Sequence, residues 1–458
     1  MPHTTSPDDL NFSAWLATGQ MDAATLASVR QAQPVFWANP QWQPQADAVV
    51  FDGHTLGPED MDAAYQRLQR WAPLLAQRFP ELAPTQGHIA SPLRAAPAMA
   101  QQLGLAADSL WLQCDHALPV AGSIKARGGF HEVLEHAERV ARQHGLWQPG
   151  ADMAVFLSDA TRQLFARHEV AVGSTGNLGM SIGIMAAALG FQATVHMSVE
   201  AKEWKKDRLR QRGVQVIEHT GDYAQAVAQG RAQAAANPLA HFVDDERSRS
   251  LFDGYSAAAI DFAAQLQAAG ITVDAAHPLF VYLPCGVGGA PAGVAWGLRQ
   301  VLGTHVHAVF MEPVQSPCVL LGMAAPEGAH PTVYDLGLHN QTEADGLAVP
   351  QASELAVAAM RQVLAGCGTV TDERLLQLLY QLEQTEGLRI EPSAAAGLAG
   401  PALLQTAAGQ QWLQARGLLA HWPQARHVAW TTGGLLVPPA QYTDFHARGQ
   451  ALSAGLQG

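Results

Sequence analysis

From about residue 168 onward, apolar segments of strand length alternate with helical segments, and this rhythm limits the chain more than any other feature. Residues 170–172, 193–197, 214–217 and 241–243 read as strands, with helices at 179–189, 201–212, 223–236 and 255–268. Residues 279–283, 306–311 and 427–431 read as further strands, with mainly helical segments between the last two. A strand, a covering helix and a second strand in sequence build parallel sheets. Two of the strand-to-helix turns are rich in glycine, at 173–179 and 284–293. Two such turns so far apart imply two open parallel-sheet α/β domains with a cleft between them. The expected division is 1–168 as an N-terminal extension plus the first part of the larger domain, including Lys125; 169–248 as the smaller domain; and 249–458 as the rest of the larger one.

The chain has 458 residues, 48% of them apolar, enough for a large core and two or three domains. Its formal net charge of −13 lacks the basic footprint of a nucleic-acid binder and suits a small-molecule substrate. Met1-Pro2-His3-Thr4-Thr5 does not read as a secretory signal, and no apolar run is long enough to span a membrane. Cys114, Cys285, Cys318 and Cys367 are widely spaced without a CxxC pair, which disfavours a metal site and fits a reduced, cytoplasmic protein. His305 and His307 alternate along a strand and are expected at the surface. The basic run Lys202, Lys205, Lys206, Arg208, Arg210 and Arg212 is expected to be a solvated helix face. Residues 1 to about 100 carry no chemical motif and read as packing, with helices near 23–31 and 61–76.

Three stretches can carry chemistry. In Ser123-Ile124-Lys125-Ala126-Arg127-Gly128-Gly129, a lysine sits among small residues where a loop passes into a helix. Lys125 reads as a reactive amine able to hold a cofactor as an imine, helped by the positive potential of a helix start. Gly173-Ser174-Thr175-Gly176-Asn177-Leu178-Gly179 follows a strand and opens an apolar helix. It reads equally as an anion site and as a tight turn with a local hydroxyl cap. Pro284-Cys285-Gly286-Val287-Gly288-Gly289-Ala290 lets backbone amides converge on a phosphate. It lacks the GK[ST] of a Walker A loop and the register of a dinucleotide fingerprint, so a small phosphorylated cofactor fits better than a nucleotide triphosphate. Thr432, at the end of the last strand, is a weaker candidate.

Together with Met311-Glu312-Pro313, Ala344-Asp345-Gly346-Leu347-Ala348-Val349, Glu391-Pro392-Ser393 and Thr432-Gly433-Gly434, these stretches resemble, in order, the fold type II pyridoxal-phosphate enzymes. Within that family they resemble the bacterial D-serine dehydratases over nearly the whole chain, including the long segment before the lysine. Threonine dehydratases and serine racemases share the core, but their lysine lies nearer the N-terminus and Phe usually stands in place of Ile124. One departure is Ala290, where the family carries a third successive glycine.

The resemblance implies pyridoxal 5'-phosphate bound covalently as an imine to Lys125. It assigns the phosphate to Gly286, Val287, Gly288 and Gly289, the ring hydroxyl to Asn177 and the ring nitrogen to Thr432. Ser174, Thr175 and Gly176 would hold the substrate carboxylate. The implied reaction is α,β-elimination of D-serine to pyruvate and ammonia, extending to D-threonine, in a monomer or small homo-oligomer. A D-amino acid held at that carboxylate site presents its Cα proton on the face opposite to an L-isomer. Thr175 is therefore expected to take part in proton removal while Lys125 assists departure of the hydroxyl. Glu312 and Glu391 are expected to be buried hydrogen-bonding groups, with a monovalent cation such as K+ allowed near them. L-serine or L-threonine dehydration and non-catalytic cofactor binding stay open as alternatives.

Overall fold

The computed structural model describes residues 20–174, 176–199, 201–220 and 223–455. The chain divides into two compact units. One is formed by the chain up to Leu56, by Pro92–His116 and by the chain from Phe262 onward; the other by Gly57–Ser91 and Ala117–Asp261.

The first unit is built on a seven-stranded sheet, ordered Phe36–Ala38, Gly366–Val370, Val306–Pro313, Leu279–Pro284, Arg426–Trp430, Leu110–Gln113 and Leu93–Ala95. The five inner strands are parallel and the two outer ones antiparallel to their neighbours. Every residue of Leu279–Pro284 and Val306–Pro313 is buried, as expected for strands covered on both faces. His307 lies inside this sheet and is 4% exposed, ringed by Trp42, Phe280 and Trp412. The surface position expected for it is therefore wrong, and burial pushes its imidazole down to about 3.

The strand Gly366–Val370 was hidden among residues read as helical. Its glycines disguise it, and packing explains them. A Cβ on Gly366 would run into the backbone carbonyl of Trp37, and one on Gly368 into Leu403 and Met311. The motif-free N-terminal region thus contributes an edge strand, Phe36–Ala38, seated directly on these glycines.

The second unit has a four-stranded parallel sheet, ordered Gln215–His219, Gln192–Ser198, Glu169–Gly173 and Ala240–Val243. Its helices include Asn177–Leu189, Glu203–Gln211, Arg249–Ser256 and Lys125–Gln143. Lys125–Gln143 packs against two of them through its paired glycines. A Cβ on Gly128 would lie 2.6 Å from both Leu251 O and Tyr255 Cζ, and one on Gly129 would collide with Ser181. Lys125 accordingly belongs to the same compact unit as 169–248, where the expected division placed it with the larger domain. That unit also takes in Gly57–Ser91 and runs on to Asp261.

The basic run also differs from expectation. Lys205 and Lys206 are buried, and Lys206 Nζ donates to Glu218 at 2.7 Å and to Val199 O at 2.9 Å. Arg210 is the solvated member, bridging Glu203, Asp207 and Glu218. Among the described residues no helix is long and apolar enough to cross a membrane. Replacing Gly366 by Ala should lower stability by about 1–3 kcal/mol through overpacking at the edge strand, read from the urea midpoint of unfolding.

Candidate active site

In the second unit, the adjacent parallel strands Glu169–Gly173 and Ala240–Val243 end on the same edge of the sheet. The first runs into Ser174 and the helix Asn177–Leu189, the second into Asp244 and Asp245. Carboxyl ends of parallel strands are where open α/β sheets bind ligands. Ser174 is buried; its N–H donates to His196 O at 2.9 Å and its Oγ accepts the Gly176 N–H at 3.2 Å. The local hydroxyl turn is therefore real, but it does not cap the helix. Gly176 is the N-cap and has no side chain to offer, so no N-cap side chain bonds the first turn of this 13-residue helix. Gly179 lets this helix approach the sheet, since a Cβ there would lie 2.9 Å from Val195. Asn177 is half-buried at the first helical position, and Thr175 lies outside the described residues.

Lys125 is the first residue of its helix, with its N–H 3.3 Å from Ser123 Oγ and its carbonyl accepting from Ser181 Oγ at 2.7 Å. Its side chain is 19% exposed, neither sealed in the core nor free in solvent. Nζ lies 3.6 Å from Asp245 Oδ2 and 5.5 Å from the centre of the Tyr255 ring. Asp245 Oδ1 and the Tyr255 hydroxyl are buried and have no hydrogen-bond partner among the described residues. Burial, then the nearby Asp245 and Glu132 carboxylates, hold the Tyr255 hydroxyl well above its usual range. Asp245 and Tyr255 were both missed by sequence reasoning. The available signal for Asp245 was an acidic pair placed directly after an apolar strand in a βα unit.

In the first unit, Leu279–Pro284 and its parallel neighbour Arg426–Trp430 also end on a common edge. Leu279–Pro284 runs into Gly286, Val287, Gly288 and Gly289, all buried, and the 14-residue helix Gly289–Leu302. Gly288 is the N-cap at φ +104°, a conformation that favours glycine, and again no side chain caps the helix. A Cβ on Gly286 would lie 3.1 Å from Gly346 O, and one on Gly288 2.8 Å from Ala356 Cβ. The turn is thus a tight, uncapped set of backbone donors, the form a phosphate requires. Ala290 is buried within the first turn of that helix.

At the end of Arg426–Trp430, two threonines divide the work. Thr431 Oγ1 donates to Gln113 O at 2.9 Å and so accepts from His116 Nδ1 at 2.8 Å. Trp430 Nε1 donates to Asp115 Oδ2 at 2.8 Å. Thr432 is buried, and its hydroxyl forms no hydrogen bond among the described residues. Of the two hydroxyls, Thr432 is the one left for a ligand.

Glu312 is fully buried and accepts the N–H groups of Val319 at 2.7 Å and Leu320 at 2.9 Å. Burial outweighs these donors and pushes its carboxyl up to about 8, against a usual 4.5. The folded protein therefore holds a proton there that the unfolded chain releases. This contribution is full below about 4.5 and is lost as pH rises through about 8. Glu312→Gln should flatten that decline, checked by urea unfolding at several pH values between these limits.

Residues 84–412 match a protein family described as pyridoxal-phosphate dependent enzyme. A protein of Acidovorax sp. (strain JS42) named probable D-serine dehydratase is 57% identical over 99% of this chain and all of its own length. One of Hahella chejuensis with the same name is 49% identical over 92% of this chain and 96% of its own. Among solved structures, diaminopropionate ammonia lyase from Escherichia coli in complex with D-serine superposes with a TM-score of 0.70 at 18% identity, covering 91% of this chain and 98% of that one. The serine racemase of Dictyostelium discoideum gives 0.57 at 15% identity, over 83% and 98% respectively. These two structures establish likeness of fold.

Proposed function

The chain belongs to the pyridoxal-phosphate dependent enzymes and has their type II fold, and from that premise we propose that it eliminates water from D-serine, giving pyruvate and ammonia. The observation that carries this reading is the Lys125 amine, partly accessible and 3.6 Å from the Asp245 carboxylate, in a chain this similar to relatives named for that reaction.

The residues present fit the cofactor. The uncapped turn of Gly286, Val287, Gly288 and Gly289 would take its phosphate, Thr432 its ring nitrogen, Asn177 its ring hydroxyl and Lys125 its aldehyde carbon. Once bound, pyridoxal phosphate supplies an electron sink for the substrate Cα. Ser174, Thr175 and Gly176, at the start of the helix Asn177–Leu189, would hold the substrate carboxylate. Thr175 would take part in removing the Cα proton of the D-isomer. Lys125, with Asp245 Oδ2 3.6 Å from its Nζ, would assist departure of the β-hydroxyl. The resulting enamine product is hydrolysed to pyruvate and ammonia.

The proposal extends to D-threonine and to one monovalent cation such as K+ near Glu312 or Glu391. It sets the protein in the cytoplasm, as a monomer or small homo-oligomer acting on free amino acids. Four buried free thiols and a net charge of −13 support that setting.

Purified protein should absorb near the edge of the visible and lose that band on borohydride reduction; Lys125→Ala should lack it. Pyruvate should form faster from D-serine than from L-serine. Preference for L-serine would move the protein to the L-serine or L-threonine dehydratases, and a chromophore without turnover would make it a cofactor-binding protein only. Thr175→Ala should slow exchange of the D-serine Cα proton by about 10²–10⁴-fold. Asp245→Asn should lower kcat by at least about tenfold while leaving KM within a few-fold, as expected when a neighbouring charge at this distance is lost.

A further inference from the structure

Beyond the lysine site, the second unit contains a cavity of about 530 Å³, within the size range of small-ligand sites. Its wall includes Arg67, Arg70, His136, Arg139 and Arg142, together with Glu132, Glu135 and Glu138. The glutamates are already engaged. Glu138 accepts from Arg67 Nε at 3.0 Å, Arg70 Nη2 at 2.7 Å and Trp71 Nε1 at 2.9 Å. Glu135 pairs with Arg67 Nη2 at 3.1 Å. Glu132 accepts from His241 Nε2 at 2.7 Å and Ser248 Oγ at 2.5 Å.

The donors are not all engaged. Arg139 Nη2 lies 2.6 Å from His136 Nδ1 and 3.2 Å from His241 Nδ1. Guanidinium has no acceptor, so both Nδ1 atoms must be lone pairs. Each imidazole then carries its proton on Nε2. That of His241 reaches Glu132, while that of His136 is buried without an acceptor. Arg70 Nε and Trp147 Nε1, also of wall residues, are likewise buried without an acceptor. Neither Arg139 nor Arg142 has a carboxylate partner among the described residues. The wall is therefore rich in donors and positive charge, and each of its three glutamates is already paired.

We propose that this cavity binds a small oxyanion, a carboxylate or a phosphate, anchored by Arg139 and Arg142. Paired guanidinium groups suit the planar fork of a carboxylate and the oxygens of a phosphate. The site does not rest on the reading of Lys125. It shares that residue's helix, Lys125–Gln143.

Calorimetric titration of cofactor-saturated full-length protein with inorganic phosphate, and separately with malonate, tests this. Saturating the cofactor first keeps free phosphate from the glycine turn at Gly286. Saturable binding of either probe is expected, and the better one identifies the oxyanion class. Arg139→Gln and Arg142→Gln should each weaken binding by about tenfold or more, the loss of one charge-assisted contact. Arg142 is exposed, so its variant keeps the test open if Arg139→Gln fails to fold. The absence of saturable binding by both probes, or unchanged affinity in Arg142→Gln, would overturn the proposal.

Discussion

Both units of this protein depend on the same backbone problem. A helix leaves its first N–H groups without partners, and at most helix starts a side chain supplies the acceptor. At Asn177–Leu189 and Gly289–Leu302 that acceptor is missing because glycine occupies the N-cap. Each of these starts follows a parallel strand at the carboxyl edge of its sheet. The donors there lie at the edge where open α/β sheets bind ligands. Substituting a capping residue would satisfy the helix locally and remove the site.

Close packing then sets the reactive amine. Gly128 and Gly129 seat the helix Lys125–Gln143 against Arg249–Ser256 and Asn177–Leu189, and Ser181 Oγ ties down the Lys125 carbonyl. The lysine is thus held at its backbone while its amine meets Asp245 from a separate strand end. The same helix carries His136, Arg139 and Arg142 farther along, where the histidine tautomers follow from one guanidinium. The lysine proposed to hold the cofactor and the cavity proposed to bind an oxyanion share one helix.

The readable parts of the sequence were those where local pattern and tertiary role agree. Strands such as Leu279–Pro284 are apolar throughout because both faces are covered. Glycines at strand-to-helix turns announce both a turn and a close approach. Reading failed where a residue type serves an unusual neighbour. Gly366 and Gly368 sit in a strand because Trp37 and Leu403 leave no room for a side chain. Lys206 looks like a surface charge but is buried on Glu218, and His307 looks polar but fills a gap among aromatic rings. Such cases are decided by contacts far apart in the chain.

By itself the sequence determined the parallel α/β architecture and the two glycine turns, because strand periodicity and glycine's conformational freedom are local properties. Tertiary structure decided which unit holds Lys125, which of two adjacent threonines has a free hydroxyl, and that Asp245 is the partner of the amine. It also collected four arginines from two helices, Pro58–Arg78 and Lys125–Gln143, around one cavity. These depend on distances across the fold, and a side chain's charge state and spare hydrogen bonds are set by neighbours that only folding brings together.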